Sequence, residues 1–415
     1  MSSTDVTSKF AATFDLTAVS DRFRNNPYPT YADLRQHLPV HRQPDGSFFL
    51  TRYADNVIAY KDPKLFSSDK HIEFTPKFGD SPLLLHHTTS LIFNDPPLHT
   101  RVRKIMTGAL TPRAVADLEG PVRTLVDGLM DEMTARTRRG VDVDLIDDFA
   151  AAIPIEVIGN LLAVPRDERG PLRDWSLDIL GALEPKPTPV MITNGNRAVT
   201  EFTAYLAGLV AKRRRTPGDP ERDVLTRLIQ GEVAGERLTE SELLQNVIFI
   251  LNAGHETTTN LIGNALFALH AWPDQRTKLI AQPNLINSGV EEFLRYDSPV
   301  QLGSRITTAA TDVLGVPMAA GTRITIGIGA ANYDPAEFKD PERLDIARSP
   351  NRHLAFAHGV HTCVGLAVAR LEGRVAIQRF LARYPNYSIG GHGRVPVRGG
   401  RIRFRGFISL PVALS

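Results

Sequence analysis

Apolar residues recur every three to four positions along most of this chain, the spacing that turns one face of a helix toward a core. It predicts helices over Tyr28 to Leu38, Tyr53 to Tyr60, His99 to Ala109, Arg113 to Arg136, Phe149 to Leu162 and Thr200 to Arg213. The longest run opens at Thr239-Glu240-Ser241-Glu242, which matches a capping box. It extends to about His270, roughly 45 Å at about 1.5 Å per residue. A further helix covers about Leu285 to Tyr296 and stops before Pro299. A last one opens near Cys363 and continues to about Tyr384.

Alternating patterns are few. Val40 to Thr51 reads as a hairpin turning at Pro44-Asp45-Gly46. Short β-like runs cluster between Gly303 and Gly329 and from Arg401 to Leu410. Lys212 to Pro220 and Glu184 to Pro189 read as exposed loops, and helical patterns continue on both sides of each. The fold class expected is mainly α (α+β): one domain over residues 1–415, with a large helical body and a small β-rich side.

Composition adjusts this picture only slightly. A length of 415 residues alone suggests two or three domains, but the 42% hydrophobic and 23% charged content shows no division. A formal net charge of +2 gives no bias toward nucleic acid or an anionic membrane. The single Cys rules out a disulfide within the chain and fits a reducing, cytoplasmic compartment. Met1 to Ser20 is polar and mixed, so neither a signal peptide nor a membrane anchor is expected there. The most apolar long window, Val247 to Trp272, carries Asn252, His255, Glu256, Asn260 and Asn264, which marks a buried helix of a soluble protein.

Four groups of residues carry candidate chemistry. The first is the loop Phe356-Ala357-His358-Gly359-Val360-His361-Thr362-Cys363-Val364-Gly365. It reads as a turn feeding a helix whose first residue is Cys363, where unpaired amides and the helix dipole would favour a thiolate. Gly359 and Gly365 remove side chains on either side of the sulfur, so a flat ligand could lie against the backbone. A buried structural Cys is the plain alternative, and a Cys nucleophile would need a partner His that the loop does not obviously offer. The second group is Ala253-Gly254-His255-Glu256-Thr257-Thr258 in the middle of the long helix. Its glycine weakens the helix by about 1 kcal/mol relative to Ala, and its threonines can bond back to helix carbonyls. Glu256 and Thr257 could together relay protons. A zinc-hydrolase reading of His255-Glu256 fails because Thr259 stands where a second His is needed. The third is Glu292 and Arg295, three apart on one helix face, followed by Asp340-Pro341-Glu342-Arg343-Leu344. The fourth is a scattered set of donors: His99, Arg103, Arg305 and His361.

The Cys loop resembles the haem-binding signature of the cytochrome P-450 superfamily: Phe, two residues, Gly, three residues, Cys, one residue, Gly, with a basic residue two before the Cys. Phe356, Gly359, His361, Cys363 and Gly365 fill those places; Ala357 stands where the family usually has Gly or another small polar residue, a departure expected only to shift the turn slightly. The long-helix segment is similar to the family's oxygen-binding helix, with Glu256 where many members carry Asp. The resemblance spans about Asp95 to Arg374, more weakly beyond. It implies haem b with Cys363 as axial thiolate, a long central helix over the haem, and Ala253 and Gly254 beside dioxygen as co-substrate. Glu256 and Thr257 would be the acid–alcohol pair that supplies protons, and His99, Arg103, Arg305 and His361 would meet the two propionates. It also implies that Glu292 and Arg295 form a structural network behind the Cys loop, with Arg343 or His353 as third member.

The activity implied is a bacterial-type monooxygenase acting on a small apolar or mixed organic substrate. Its pocket would draw on Phe66 to Phe93, Leu180 to Thr193, Ile248 to Asn252 and Val300 to Leu302, with Asn252 and Gln301 as polar contacts. Electrons would come from a ferredoxin-type donor docking on Lys104, Arg113, Arg352, Arg370 and Arg374. No nucleic-acid partner and no membrane anchor are expected. Two alternatives stand beside this one: a peroxide-using haem-thiolate enzyme and a haem-based gas-binding protein.

Overall fold

Thr239 starts the long helix as the capping box requires: its hydroxyl accepts from the Glu242 amide at 3.2 Å, and Glu242 accepts from the Thr239 amide at 2.8 Å. From there the helix runs unbroken over Glu240–Ala271, 32 residues, and is buried on nearly all sides. A helix with no polar face belongs in the middle of a protein. Its polar residues are used to lock neighbours in place. Gln245 meets His86 at 3.0 Å, Asn246 accepts from the Leu91 amide at 2.9 Å, and Asn264 donates to the carbonyls of Asp297 and Arg405.

This computed structural model describes residues 13–220, 223–233, 235–391 and 393–415, so most of the polar segment Met1 to Ser20 lies outside the described residues. Around the long helix pack Ala152–Leu161, Leu172–Gly181, Pro189–Arg215, Ile286–Tyr296 and Leu366–Arg383. One apolar cluster joins them, from Phe74 to Val412 in sequence. No helix among the described residues is long and apolar enough to cross a membrane.

The small sheet has the order Val40–Arg42, Phe48–Leu50, Arg323–Gly327, Leu302–Thr307, Phe66–Ser67. Neighbours are antiparallel except Phe48–Leu50 against Arg323–Gly327, which is parallel. The hairpin Val40 to Thr51 turns where expected, with Gly46 at φ +81°. Tyr28–His37, Tyr53–Lys61 and Leu98–Ala109 also match their sequence patterns.

Several boundaries differ. The run Arg113 to Arg136 is two helices, Pro112–Asp117 and Glu119–Arg138. Pro121 lacks the amide that would continue the first, and its ring crowds the carbonyl four residues back. Phe149 to Leu162 begins instead as a wide π turn, Ile146–Ala150, before Ala152–Leu161. The helix expected from Thr200 starts at Pro189, capped by the Thr188 hydroxyl. The final helix is Leu366–Arg383, so Cys363 lies three residues before it.

Candidate functional site

The Cys loop is a tight unit resting on the sheet side. The Cys363 amide donates to the Phe356 carbonyl at 2.9 Å and closes the loop, and Gly359–His361 forms a single 3-10 turn inside it. Gly359 sits at φ +70°, and a Cβ there would lie 2.6 Å from the Tyr60 carbonyl oxygen. Glycine is therefore needed twice over: for the left-handed backbone and for contact with helix Tyr53–Lys61. At Gly365 a Cβ would meet only Cys363 Sγ, at an ordinary contact distance of 4.0 Å, so the sulfur does not itself require glycine there. Ala357 also adopts positive φ, +56°, which explains why glycine suits that position.

Cys363 as a whole residue is partly exposed, but its thiol is largely surrounded by protein. Burial pushes the Cys363 thiol up, while the Gly365 amide and the charges of Arg103 and Arg370 pull it down, and burial wins. The expectation that Cys363 is the first residue of the helix is corrected here. The helix begins too late to put several amides on the sulfur, and an apolar surrounding favours the neutral thiol. A bound metal cation would reverse that balance.

Beside the loop, four basic side chains converge. His99 and His361 have ring centroids 4.2 Å apart, and each has a buried Nε2 with no protein partner. Arg305 lies over the Tyr60 ring at 5.1 Å and donates to the Ser304 carbonyl. Burial first, then the charges of Arg305, His99 and Arg103, drive the His361 imidazole down to about 2. Burial and Arg103 likewise lower His99. Four basic groups gathered in one buried place repel one another, and two carboxylates would relieve the repulsion and fill the orphaned nitrogens. The residues present therefore fit the propionate edge of a haem.

On the long helix, Ala253 is exposed and Gly254 and Thr257 are partly exposed in an otherwise buried stretch. The Thr257 hydroxyl donates to the Ala253 carbonyl at 2.6 Å. Gly254 accommodates helix Ala152–Leu161, because a Cβ would lie 2.6 Å from Ile158 Cδ1. Glu256 is buried and bound to Arg401 at 2.7 Å. Burial raises its carboxyl, and Arg401 offsets part of that rise. Arg401 also donates to the Leu177 carbonyl at 3.0 Å, tying the C-terminal strand region to helix Leu172–Gly181. Nothing local in the sequence marks Arg401 as the partner of Glu256.

Behind the loop, Arg295 and Glu292 form a fully buried bidentate pair, with both bonds at 2.8 Å. The third member is Arg348, 3.0 Å from Glu292, supported by Asn351 at 3.1 Å. Arg343 contributes only its backbone carbonyl, and His353 pairs instead with Glu291. Glu291 also holds Arg370 at 2.7 Å, so a second acid clamps the Cys loop to the helix after it. Gln301, expected at the substrate, is engaged by the Ser298 carbonyl and Tyr28.

Comparison with known proteins agrees with this architecture. The family model for Cytochrome P450 matches two overlapping segments that together span residues 176–387. Cytochrome P450 107B1 of Saccharopolyspora erythraea is 38% identical over 90% of this chain and 91% of its own. Vitamin D(3) 25-hydroxylase of Pseudonocardia autotrophica is 38% identical over 95% of this chain and 96% of its own. Among solved structures, the Bacillus subtilis 168 cytochrome P450 PksS of the bacillaene polyketide synthase superposes with a TM-score of 0.86 at 32% identity. That match covers 97% of this chain and 100% of the other. A likeness that runs through sequence and fold over nearly the whole length places the chain in the cytochrome P450 family, the haem-thiolate monooxygenases that act on organic substrates with dioxygen.

Proposed function

We propose that this monooxygenase inserts one oxygen atom of O2 into a small, largely apolar organic molecule by hydroxylation, dealkylation or epoxidation, with Cys363 as the axial thiolate of haem b. The observation that carries the assignment is the meeting of the chain's one cysteine with the orphaned His99–His361 pair and Arg305. Bound haem supplies dioxygen activation, and thiolate donation favours O–O cleavage. His99, Arg103, Arg305 and His361 would hold the propionates, and Phe356, Gly359 and Gly365 would shape the loop that carries the sulfur. Ala253, small and exposed on the long helix, would leave room for haem and dioxygen, whereas the bare Gly254 serves the packing of Ile158. Glu256 holds a proton at its carboxyl, and the Thr257 hydroxyl, once turned from the Ala253 carbonyl, passes it on. The apolar substrate class is supported by the apolar pocket segments and by the 25-hydroxylase among its relatives. We read residues 1–415 as one domain, supported by the continuous apolar cluster. A cytoplasmic location follows from a lone cysteine that must stay reduced.

Electrons come from a ferredoxin-type protein. Of the five basic residues expected to receive it, Arg370 and Arg374 are spent on Glu291 and Glu119. Lys104, Arg113 and Arg352 are exposed, with no ion pair among the described residues, and form the docking set. The test is turnover of a panel of apolar compounds under 18O2 with a ferredoxin and its reductase. One 18O atom in the product is expected. Turnover driven by peroxide alone, with none from the ferredoxin system, would overturn the reading in favour of a peroxide-using enzyme.

A further inference from the structure

The long helix and helix Leu172–Gly181, which pack together, carry three buried polar side chains with no protein hydrogen-bond partner. They are Asn252, through both amide atoms, His255, through both ring nitrogens, and the Ser176 hydroxyl. Their exposures are 2%, 1% and 0%. Asn252, His255 and Glu256 stand at positions i, i+3 and i+4, one continuous patch of helix surface. Helix Leu172–Gly181 packs against the long helix, and its Leu177 carbonyl accepts from the same Arg401 guanidinium that holds Glu256. Ser176 is thus next to the residue that faces the acid. One turn earlier, Arg173 pairs with Asp147 at the surface, 2.7 Å apart, and its charge reaches His255. The Arg173–Asp147 pair lies at the surface, and His255, Asn252, Ser176 and Glu256 are all buried behind it.

So many buried donors and acceptors are not left unpaired in a stable protein. None of them bonds to another, and the partner that bridges such groups is ordered water, which takes two to four polar neighbours. We propose that water held by His255, Asn252 and Ser176 carries protons from the Arg173–Asp147 surface to Glu256, which makes His255 a positioning residue for proton supply to the reaction. The inference rests on the Glu256–Thr257 reading above. Each transfer moves one proton along a hydrogen bond: water gives it to one ring nitrogen, the other ring nitrogen releases it, and the next water passes it to the Glu256 carboxylate. No electrons move, and bulk water restores the first proton. Burial holds the imidazole neutral, down to about 3, so it keeps one donor and one acceptor and adds no resident charge.

Two measurements on the haem-loaded protein test this. A high-resolution crystal structure is expected to show a water within about 3.2 Å of a His255 ring nitrogen that also contacts Asn252 or Ser176. NADPH oxidation is then followed in H2O and D2O with a plant-type ferredoxin and its reductase, for the wild type, His255→Phe, His255→Asn and Ser176→Ala. His255→Phe is expected to slow proton-coupled oxygen reduction by about ten-fold and enlarge the solvent isotope effect, with His255→Asn restoring most of the rate. Ser176→Ala, which removes only a hydroxyl, should move both readouts the same way by less. A dry site, or His255→Phe and Ser176→Ala both at the wild-type rate and isotope effect, would overturn the proposal. The reduced, carbon-monoxide-bound spectrum separates the two readings: it stays at the thiolate position in every variant if only proton supply is altered, whereas a wild type lacking it would overturn the functional reading itself.

Discussion

At the scale of single residues, the Cys loop was the most legible part of the site because its contacts are local. The Cys363 amide bonds the Phe356 carbonyl and Gly359–His361 forms its own turn, so the loop is fixed largely from within, although Gly359 also rests on distant Tyr60. Glu256 was legible as an acid but not as half of an ion pair, because Arg401 is 145 positions away. Arg348 was passed over for Arg343 for a similar reason: only the folded backbone shows which of several nearby arginines turns inward. Ala357 is a residue-scale exception that can be measured. At φ +56° its Cβ is held in the left-handed region, which costs an L-residue about 1–2 kcal/mol. Glycine there regains that but gives up some unfolded-state restriction. Ala357→Gly is expected to raise stability by up to about 1 kcal/mol, read as a higher urea midpoint with an unchanged m-value. A loss of stability would mean that the methyl group packs usefully.

At the scale of elements, most of the long helices were legible in the sequence, and several of ten residues or fewer were not. His71–Phe78, Pro82–Thr89, Leu172–Gly181, Val224–Gln230 and Pro273–Ala281 are short or begin at proline. The first turns of Pro189–Arg215 contain Thr193, Asn194, Gly195 and Asn196, poor helix formers in isolation. They are fixed from outside: Asn196 accepts from the Leu83 amide at 3.0 Å, and Gly195 lies against the Leu83 side chain. Glu291 joins two elements in the same way, linking His353 before the Cys loop to Arg370 after it. Burial works against its charge, but the His353 and Arg370 hydrogen bonds pull the carboxyl down to about 2. A carboxylate depressed in the folded state stabilises above its unfolded value near 4.5 and loses that contribution as pH falls toward about 2. The contribution is on the order of 2–3 kcal/mol at neutral pH. Glu291→Gln should therefore lower the melting temperature at pH 7 and flatten the fall in stability between pH 4.5 and 2. Equal acid sensitivity in both proteins would show that the clamp contributes nothing.

At the scale of the whole molecule, the helical body with a small sheet to one side was expected from the pattern alone, but the pairing in that sheet was not. Phe66–Ser67, Leu302–Thr307 and Phe48–Leu50 come from distant parts of the chain, and registers of that kind leave no local signature. The same is true of surface charge. Five basic residues counted equally in the sequence, and folding paired two of them. Arg113→Glu combined with Arg352→Glu should slow ferredoxin-driven reduction by about ten-fold or more at low salt and make the rate less sensitive to ionic strength, because steering by a basic face is screened. An unchanged rate and salt dependence in stopped-flow reduction would place the donor elsewhere.

The central claim is that Cys363 ligates haem iron as a thiolate while His99, Arg103, Arg305 and His361 hold its edge. The most direct measurement is the absorption spectrum of the reduced, carbon-monoxide-bound protein, wild type beside Cys363→His. The wild type is expected to show the red-shifted Soret band of a thiolate-ligated haem, and Cys363→His the band of an imidazole-ligated one. A wild-type band at the ordinary haem–histidine position, or one that survives Cys363→His unchanged, would contradict the account.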